Sequence, residues 1–327
     1  FWNMANMRHK NILVLGGSGF IGSELVGKLC GQGRRVRVPT RRYEDGRHLI
    51  LLPTVELVET DINRPGELAR LLHGIDAVVN LVGVLHGGRG QPYGPGFAQA
   101  HVEIPRLVVD AARAAGIRRV LHVSALGVAD GDPASQPSMY LRSKAAGEQV
   151  VRGARDIDWT IFRPSIAFGE NDRFTRLFAR MAKYLPIIPV ARGDARIQPI
   201  WVGDIARAIA TAIDAPWATG RCLELAGPEV TTLGEVVANV ARWTGRRRLV
   251  WNLPDDIGRL QALALEFAPG PTLMTRDNFD TLGVPNVASG PMAPELGIEP
   301  VAMSGVAPYY LAEGDVVYIP RRARAGR

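Results

Sequence analysis

The sequence predicts an α/β fold: a doubly wound parallel sheet followed by a smaller C-terminal α/β region. Three observations predict it. Short apolar runs alternate with helical patterns through the first half of the 327 residues. A glycine-rich turn directly follows the first of those runs. No polar linker or internal repeat separates the halves. In chain order, residues 11–17 (NILVLGG) read as a buried strand ending in glycine, and residues 20–32 as a helix with Ile21, Leu25 and Leu29 on one face. Residues 34–40 and 55–60 read as strands, 66–74 as a short helix and 76–83 as a strand. Residues 104–116 read as a helix closed by Gly116, 118–126 as a strand, 144–154 as a helix and 158–165 as a strand. Repeated strand–helix–strand units call for parallel strands, right-handed crossovers and helices on both faces. The core domain is expected over 8–165. Beyond it the pattern loosens into helices at 172–185, 203–214, 232–245 and 254–268 and a strand at 221–227. Residues 166–327 are expected to form a smaller region, partly interleaved with the core.

Bulk composition excludes several classes. With 46% hydrophobic and 22% charged residues the chain can bury a large core. No apolar run approaches the roughly 18–20 residues needed to cross a bilayer. The opening FWNMANMRHKN lacks the apolar stretch of a signal peptide and reads as an upstream extension. Cys30 and Cys222 stand alone, so a reduced, cytoplasmic setting is expected, without a disulfide framework or zinc site. The net charge of +7 comes mostly from arginines scattered in short clusters such as Arg34–Arg37, Arg246–Arg248 and Arg321–Arg324. No aromatic residues interleave with them, and no nucleic-acid partner is expected.

The first corner carries the chemistry. Gly16-x-x-Gly19-x-x-Gly22 ends a strand and opens a helix. Gly16 and Gly19 permit a tight turn and close approach of a pyrophosphate, and Gly22 lets the helix pack on the sheet. The free N–H groups and positive dipole end of the helix then meet the phosphates. This is the Rossmann arrangement for a nicotinamide dinucleotide. The second strand ends at Thr40-Arg41-Arg42, where a binder of NAD usually has a carboxylate. Arg41 and Arg42 can pair with a 2′-phosphate, which favours NADP(H) over NAD. Asp61, in Asp61-Ile62 after the third strand, is placed to accept from the adenine amino group.

Tyr140 and Lys144 form a YxxxK pair on one helix face. An ammonium beside a phenol is expected to lower its pKa and let it exchange a proton with a substrate carbonyl or hydroxyl. Ser124 ends the preceding strand. Its hydroxyl either holds the substrate oxygen or bonds backbone.

Together these residues resemble the short-chain dehydrogenase/reductase superfamily in its extended, epimerase/dehydratase-like branch. GGSGFIG, Asp61-Ile62, NLVG (80–83), HVSAL (122–126), the YxxxK pair, RPS (163–165) and QPIWVGDIA (198–206) carry the resemblance. YLRSKAAGE (140–148), FGENDRF (168–174), LAGPEV (225–230) and TRDNF (275–279) bring it nearer the NADPH-binding accessory subunit of respiratory complex I and its bacterial relatives. The resemblance implies that Gly16, Ser18, Gly19, Phe20 and Ile21 line the pyrophosphate, with Arg41 and Arg42 at the 2′-phosphate. It implies that Val82 and Gly83 lie along the adenosine and ribose. Ser124, Tyr140 and Lys144 would then sit near nicotinamide, with Pro164 and Ser165 beyond. Ile62 joins Asp61 among the candidate cofactor contacts. His101 stands where many relatives carry Asn and is given no role. The expected function is an NADPH-dependent oxidoreductase acting on an unidentified small molecule. The alternative is a non-catalytic, cofactor-stabilised assembly subunit of a membrane respiratory complex, peripheral to the inner face of that membrane, with a quinone also possible as partner. A sugar-nucleotide epimerase or dehydratase is the weakest reading. Only sixteen positions separate Ser124 from Tyr140, and there is one serine where such enzymes often have two or three.

Overall fold

The computed structural model describes residues 7–268 and 272–312. The start of the upstream extension and the Arg321–Arg324 cluster lie outside the described residues. Seven parallel strands form the central sheet: β1 (Asn11–Leu15), β2 (Arg35–Thr40), β3 (Val55–Glu59), β4 (Ala77–Asn80), β5 (Arg119–Val123), β6 (Asp158–Pro164) and β7 (Arg221–Leu225). Their order is β7-β6-β5-β4-β1-β2-β3. The chain first winds from β1 to β2 and β3, then returns to β4 on the other side of β1. That reversal makes a topological switch point at the carboxyl ends of β1 and β4, where open α/β sheets take ligands. Both strands are apolar throughout their centres because helices cover both faces: Ile12, Leu13, Val14, Val78 and Val79 are fully buried. Leu13, Leu15, Val78, Val108 and Ile161 belong to one continuous core on one side of the sheet.

Four helices position the site. They are α1 (Phe20–Gly31), α2 (Glu67–Leu71), α3 (Ile104–Ala114) and α4 (Met139–Gly153). Gly116 ends the α3 segment with φ +71°, the left-handed conformation that glycine adopts without strain. The helical segment leading into α3 begins earlier than the sequence pattern showed. Pro95–Ala98 is already helical and Gln99–Glu103 is a π-turn. Pro105 lacks the N–H that would bond the His101 carbonyl, so the helix widens one turn before it. That widening breaks the 3.6-residue spacing and hides the lead-in from a periodicity reading.

Contacts divide the chain into two compact units. Among the described residues the first holds 7–164, 203–225 and 290–298, so β7 returns to pair with β6. The second holds 165–202, 226–268, 272–289 and 299–312. Its described core gathers Phe168, Ile188, Val190, Val237 and Val240. Ile187–Ala191 and Leu249–Leu253 pair there as parallel strands. The sequence reading lacks both, because Pro189 interrupts one run and the Arg246–Arg248 cluster precedes the other. Helix Arg173–Tyr184 is capped by Asp172, which accepts from the Thr175 N–H. Helix Leu233–Trp243 starts with a capping box of Thr232 and Glu235. Among the described residues no helix is long and apolar enough to cross a membrane.

Candidate cofactor and catalytic site

The corner after β1 is bare main chain. Gly16 has φ +75°, and the Gly19 N–H donates to its carbonyl at 3.0 Å. A Cβ on Gly22 would overlap the Gly16 carbonyl oxygen and lie 2.6 Å from the Gly17 Cα. A Cβ on Gly16 would lie 3.1 Å from the Leu81 carbonyl carbon, against the chain leaving β4. Gly17, given no role from the sequence, is confined too, since its Cβ would sit 2.9 Å from Val38 Cγ1. Gly19 caps α1 without a side-chain bond, and the first turn holds no acidic residue. The positive end of the helix therefore faces outward with its N–H groups available. Ser18, Phe20 and Ile21, half-buried, complete this cradle.

At the adenosine end the two arginines differ. Arg42 is exposed, and its guanidinium forks onto Asp45, with Nε and Nη2 each 3.1 Å from a carboxylate oxygen. Arg41 is exposed and makes no ion pair among the described residues. Asp61 accepts from the Asn63 backbone N–H at 3.0 Å and from Asn63 Nδ2 at 2.8 Å, both on Oδ1. Those bonds, the backbone one first, hold its carboxyl below the usual range. Ile62 and Val82 are half-buried against the core, and the Val82 N–H donates to Asn80 Oδ1 at 3.1 Å.

At the other end, α4 brings Tyr140 and Lys144 to one place. Ser138 caps the helix, accepting from the Leu141 N–H at 3.2 Å. One turn beyond Lys144, buried Glu148 is gripped by Arg163 of β6, with Nε to Oε1 at 2.9 Å and Nη2 to Oε2 at 2.8 Å. This ion pair fixes how α4 is rotated about its axis, a function no sequence motif announced. Lys144 is buried, and its Nζ donates to the Val123 carbonyl at 3.2 Å. Gly83 lies across it, where a Cβ would be 3.2 Å from Nζ. Burial lowers Lys144 to about 8, opposed by Glu148. Tyr140 packs edge-on to His101, ring centroids 5.5 Å apart, and edge-on to Phe97 at 6.2 Å. Burial pushes its phenol up to about 12. The lowering expected from Lys144 is thus absent in this structure, because desolvation is the dominant cause.

Ser124 is buried, and its Oγ has no partner among the described residues, although its N–H donates to Phe162. Leaving a buried hydroxyl unpaired costs about 1–3 kcal/mol. Of the two readings the sequence left open, the bond to backbone is the one the structure lacks. His122, two residues earlier on the same face of β5, accepts from Asn80 Nδ2 at 3.2 Å, and its Nε2 is also unpartnered. Lys144 and burial hold His122 down to about 3, burial first. Ser165 follows directly on β6, and its hydroxyl donates to Asn286 Oδ1 at 2.6 Å inside the second unit, so its proton is already committed. Pro164, in the first unit, accepts from the Leu126 N–H through its carbonyl at 2.9 Å. The cradle at 16–22, the turn at 82–83, Ser124 and the Tyr140–Lys144 pair all stand at the carboxyl ends of β1, β4 and β5. A cradle that a Cβ would fill and an orphaned buried hydroxyl fit a bound dinucleotide.

Fold and site together define a dinucleotide-binding α/β protein of the short-chain dehydrogenase type. A family model described as the NAD dependent epimerase/dehydratase family matches residues 12–224, and the chain belongs to that family. It is similar to the rat "NADH dehydrogenase [ubiquinone] 1 alpha subcomplex subunit 9, mitochondrial", 31% identical over 301 residues that cover 89% of this chain and 76% of the relative. It is also similar to a ceramide reductase of Caulobacter vibrioides, 32% identical over 257 residues, covering 78% and 76%. Among solved structures, a dTDP-glucose 4,6-dehydratase double mutant from Streptomyces venezuelae with NAD bound superposes with a TM-score of 0.64. It is 23% identical and covers 85% of this chain and 96% of its own, a likeness of fold. A nicotinamide dinucleotide is the cofactor class that family membership and cradle together support.

Proposed function

We propose that this chain is an NADP(H)-dependent oxidoreductase that reduces a carbonyl, or oxidises the corresponding alcohol, of a small molecule. The observation that carries the reading is the buried, unpartnered Ser124 hydroxyl, one peptide unit from the Val123 carbonyl that anchors Lys144. Gly16, Ser18, Gly19, Phe20, Ile21 and Gly22 would hold the pyrophosphate. Arg41, the guanidinium without an ion pair, would hold the 2′-phosphate, with Arg42 joining only by leaving Asp45. Asp61 and Ile62 would meet adenine, and Val82 and Gly83 the adenosine ribose. When bound, the dinucleotide supplies or accepts hydride. The protein's own residues do the rest. Ser124 donates to the substrate oxygen and orients it. Tyr140 gives that oxygen a proton as it gains negative charge. Lys144, near its titration point, stabilises the phenolate left behind. The similarity to a reductase acting on a ceramide supports a carbonyl substrate.

A second reading has its own observation. The Tyr140 ring is packed edge-on against His101 and Phe97, with centroids 5.5 and 6.2 Å away, as suits a residue that packs beside a cofactor. Together with the likeness to a respiratory complex subunit, this supports a cofactor-stabilised assembly subunit docked at a membrane complex. One experiment separates the two. The mass and redox state of the nucleotide retained on purification are measured, then its oxidation is followed with quinones, long-chain ketones and sugar nucleotides. Turnover that Tyr140→Phe abolishes supports the enzyme. Tightly held NADPH that no substrate oxidises supports the subunit. No affinity for any adenine dinucleotide defeats both.

A further inference from the structure

We propose that His101 is a positioning residue: its imidazole is a strut that sets the distance between the turn after β4 and the first turn of α4. The proposal rests on the dinucleotide reading above, since that turn is the expected lining of the cofactor.

Three hydrogen bonds run in series. The Val84 N–H donates to His101 Nε2 at 3.0 Å. His101 Nδ1 meets Ser143 Oγ at 2.8 Å. Ser143 Oγ donates to the Tyr140 carbonyl at 2.7 Å. The directions follow from valence. A hydroxyl has one proton, and that of Ser143 is committed to Tyr140, so Ser143 must accept from His101 Nδ1–H. Nε2 is then the lone-pair nitrogen that a backbone N–H requires. A second proton on the ring would point at the Val84 N–H and break the chain. Burial first, then Lys144 and His122, hold His101 down to about 2. The ring is 1% exposed, and its face and edge are occupied by Tyr140 at 5.5 Å and Phe97 at 5.6 Å.

The main chain reinforces the same contact. The π-turn at Gln99–Glu103 turns the His101 carbonyl outward, and a Cβ on Gly147 of α4 would overlap it. Backbone and side chain of one residue thus both meet the helix that carries Tyr140 and Lys144. On the far side, Val84 follows Gly83, which lies against Lys144 Nζ. Losing the strut would free this turn to move against Lys144 and Tyr140, where small displacements lose binding and alignment.

The test uses the full-length chain. Nitrogen NMR of histidine-labelled protein reads the His101 tautomer, expected to carry its proton on Nδ1 from pH 5.5 to 9. His101→Phe keeps the ring packing and removes both bonds of the imidazole, and Ser143→Ala removes the link from the imidazole to α4 together with the Ser143–Tyr140 bond, leaving the Val84–His101 bond in place. Each is expected to weaken NADPH binding, read by nucleotide fluorescence, about 5- to 20-fold, through displacement of the turn at 83–84 rather than through any lost contact to the nucleotide. The melting temperature without ligand should stay within a few degrees of wild type. The double variant should be no worse than the poorer single, because both cut one chain. A proton on Nε2, wild-type affinity in both variants, or losses that add would overturn the proposal. Should His101→Phe fail to fold, Ser143→Ala and the tautomer decide. If the wild type binds no dinucleotide while the Nδ1–H tautomer is found, the cofactor reading fails and the strut is only structural.

Discussion

Arg41 and Arg42 carry the same charge beside the same strand end, yet their neighbours differ. Arg42 must give up a two-point bond to Asp45 before it can take a phosphate, whereas Arg41 gives up nothing. A charged hydrogen bond contributes about 1.5–3 kcal/mol. Arg41→Ala is therefore expected to weaken NADPH roughly ten- to a hundredfold while leaving NADH unchanged, and Arg42→Ala to do much less. Titration calorimetry with both nucleotides measures this. Equal losses for NADPH and NADH would remove the 2′-phosphate from the reading. Lys144 yields a second residue-scale expectation. Its folded pKa, about 8, lies below the usual 10.5, so between those values the unfolded chain binds more protons than the folded one. Its contribution to stability consequently rises with pH from about 8 to 10.5, and the full cost of burying the charge is present below 8. Lys144→Met should raise unliganded stability at pH 7 by on the order of 2 kcal/mol and flatten the alkaline slope, read by denaturant unfolding across pH. A variant no more stable at pH 7 would show that the ammonium is not buried at a cost. The glycine turn and the YxxxK pair were legible in the sequence because each is a local spacing with one geometric meaning. His101, His122 and Glu148 were not, because what gives each its function is a partner far along the chain.

At the scale of elements, the central strands β1 and β4 were legible as apolar runs because burial on both faces removes polar residues from them, whereas β2 showed itself by alternation. What escaped was interruption. Pro105 widens the turn before α3 and erases the helical period over 95–103, and Pro189 disguises a strand. The widened turn is also where the segment leading into α3 presses on α4, and Gly147 is what admits it. Gly147→Ala therefore adds a methyl where a carbonyl already lies. Such overpacking costs about 1–3 kcal/mol, and helix propensity returns about 1 kcal/mol of it. The expected outcome is a protein that folds, melts lower by a few degrees and binds dinucleotide less well. Gly153→Ala, on the same helix with nothing within 4 Å of the added methyl, is the control and should be neutral or stabilising. A Gly147→Ala protein as stable as that control would mean that the His101 carbonyl does not press on α4.

For the whole molecule, the order of strands matters more than any residue. Because the chain reverses beside β1, the glycine turn, the turn after β4 and the end of β5 all stand at the carboxyl ends of neighbouring strands in a single sheet. A ligand spanning them ties together segments far apart in sequence. The unfolded chain holds none of these groups in register, so a dinucleotide binds the folded state alone and must raise its stability by mass action. At a hundred times its dissociation constant the gain is about 2.7 kcal/mol. For a domain of this size that corresponds to a rise of roughly 5–10 °C in melting temperature. The second unit has its own core of Phe168, Ile188, Val237 and neighbours, and Ser165 there is committed to Asn286. Hydrogen exchange with and without NADPH should therefore slow at 16–22, 81–84 and 122–126, and change far less at 187–191 and 233–243. Calorimetry should show the shift in the transition that those first segments share. Protection concentrated instead in the second unit would place the nucleotide somewhere other than the carboxyl ends of β1, β4 and β5, whatever the affinity.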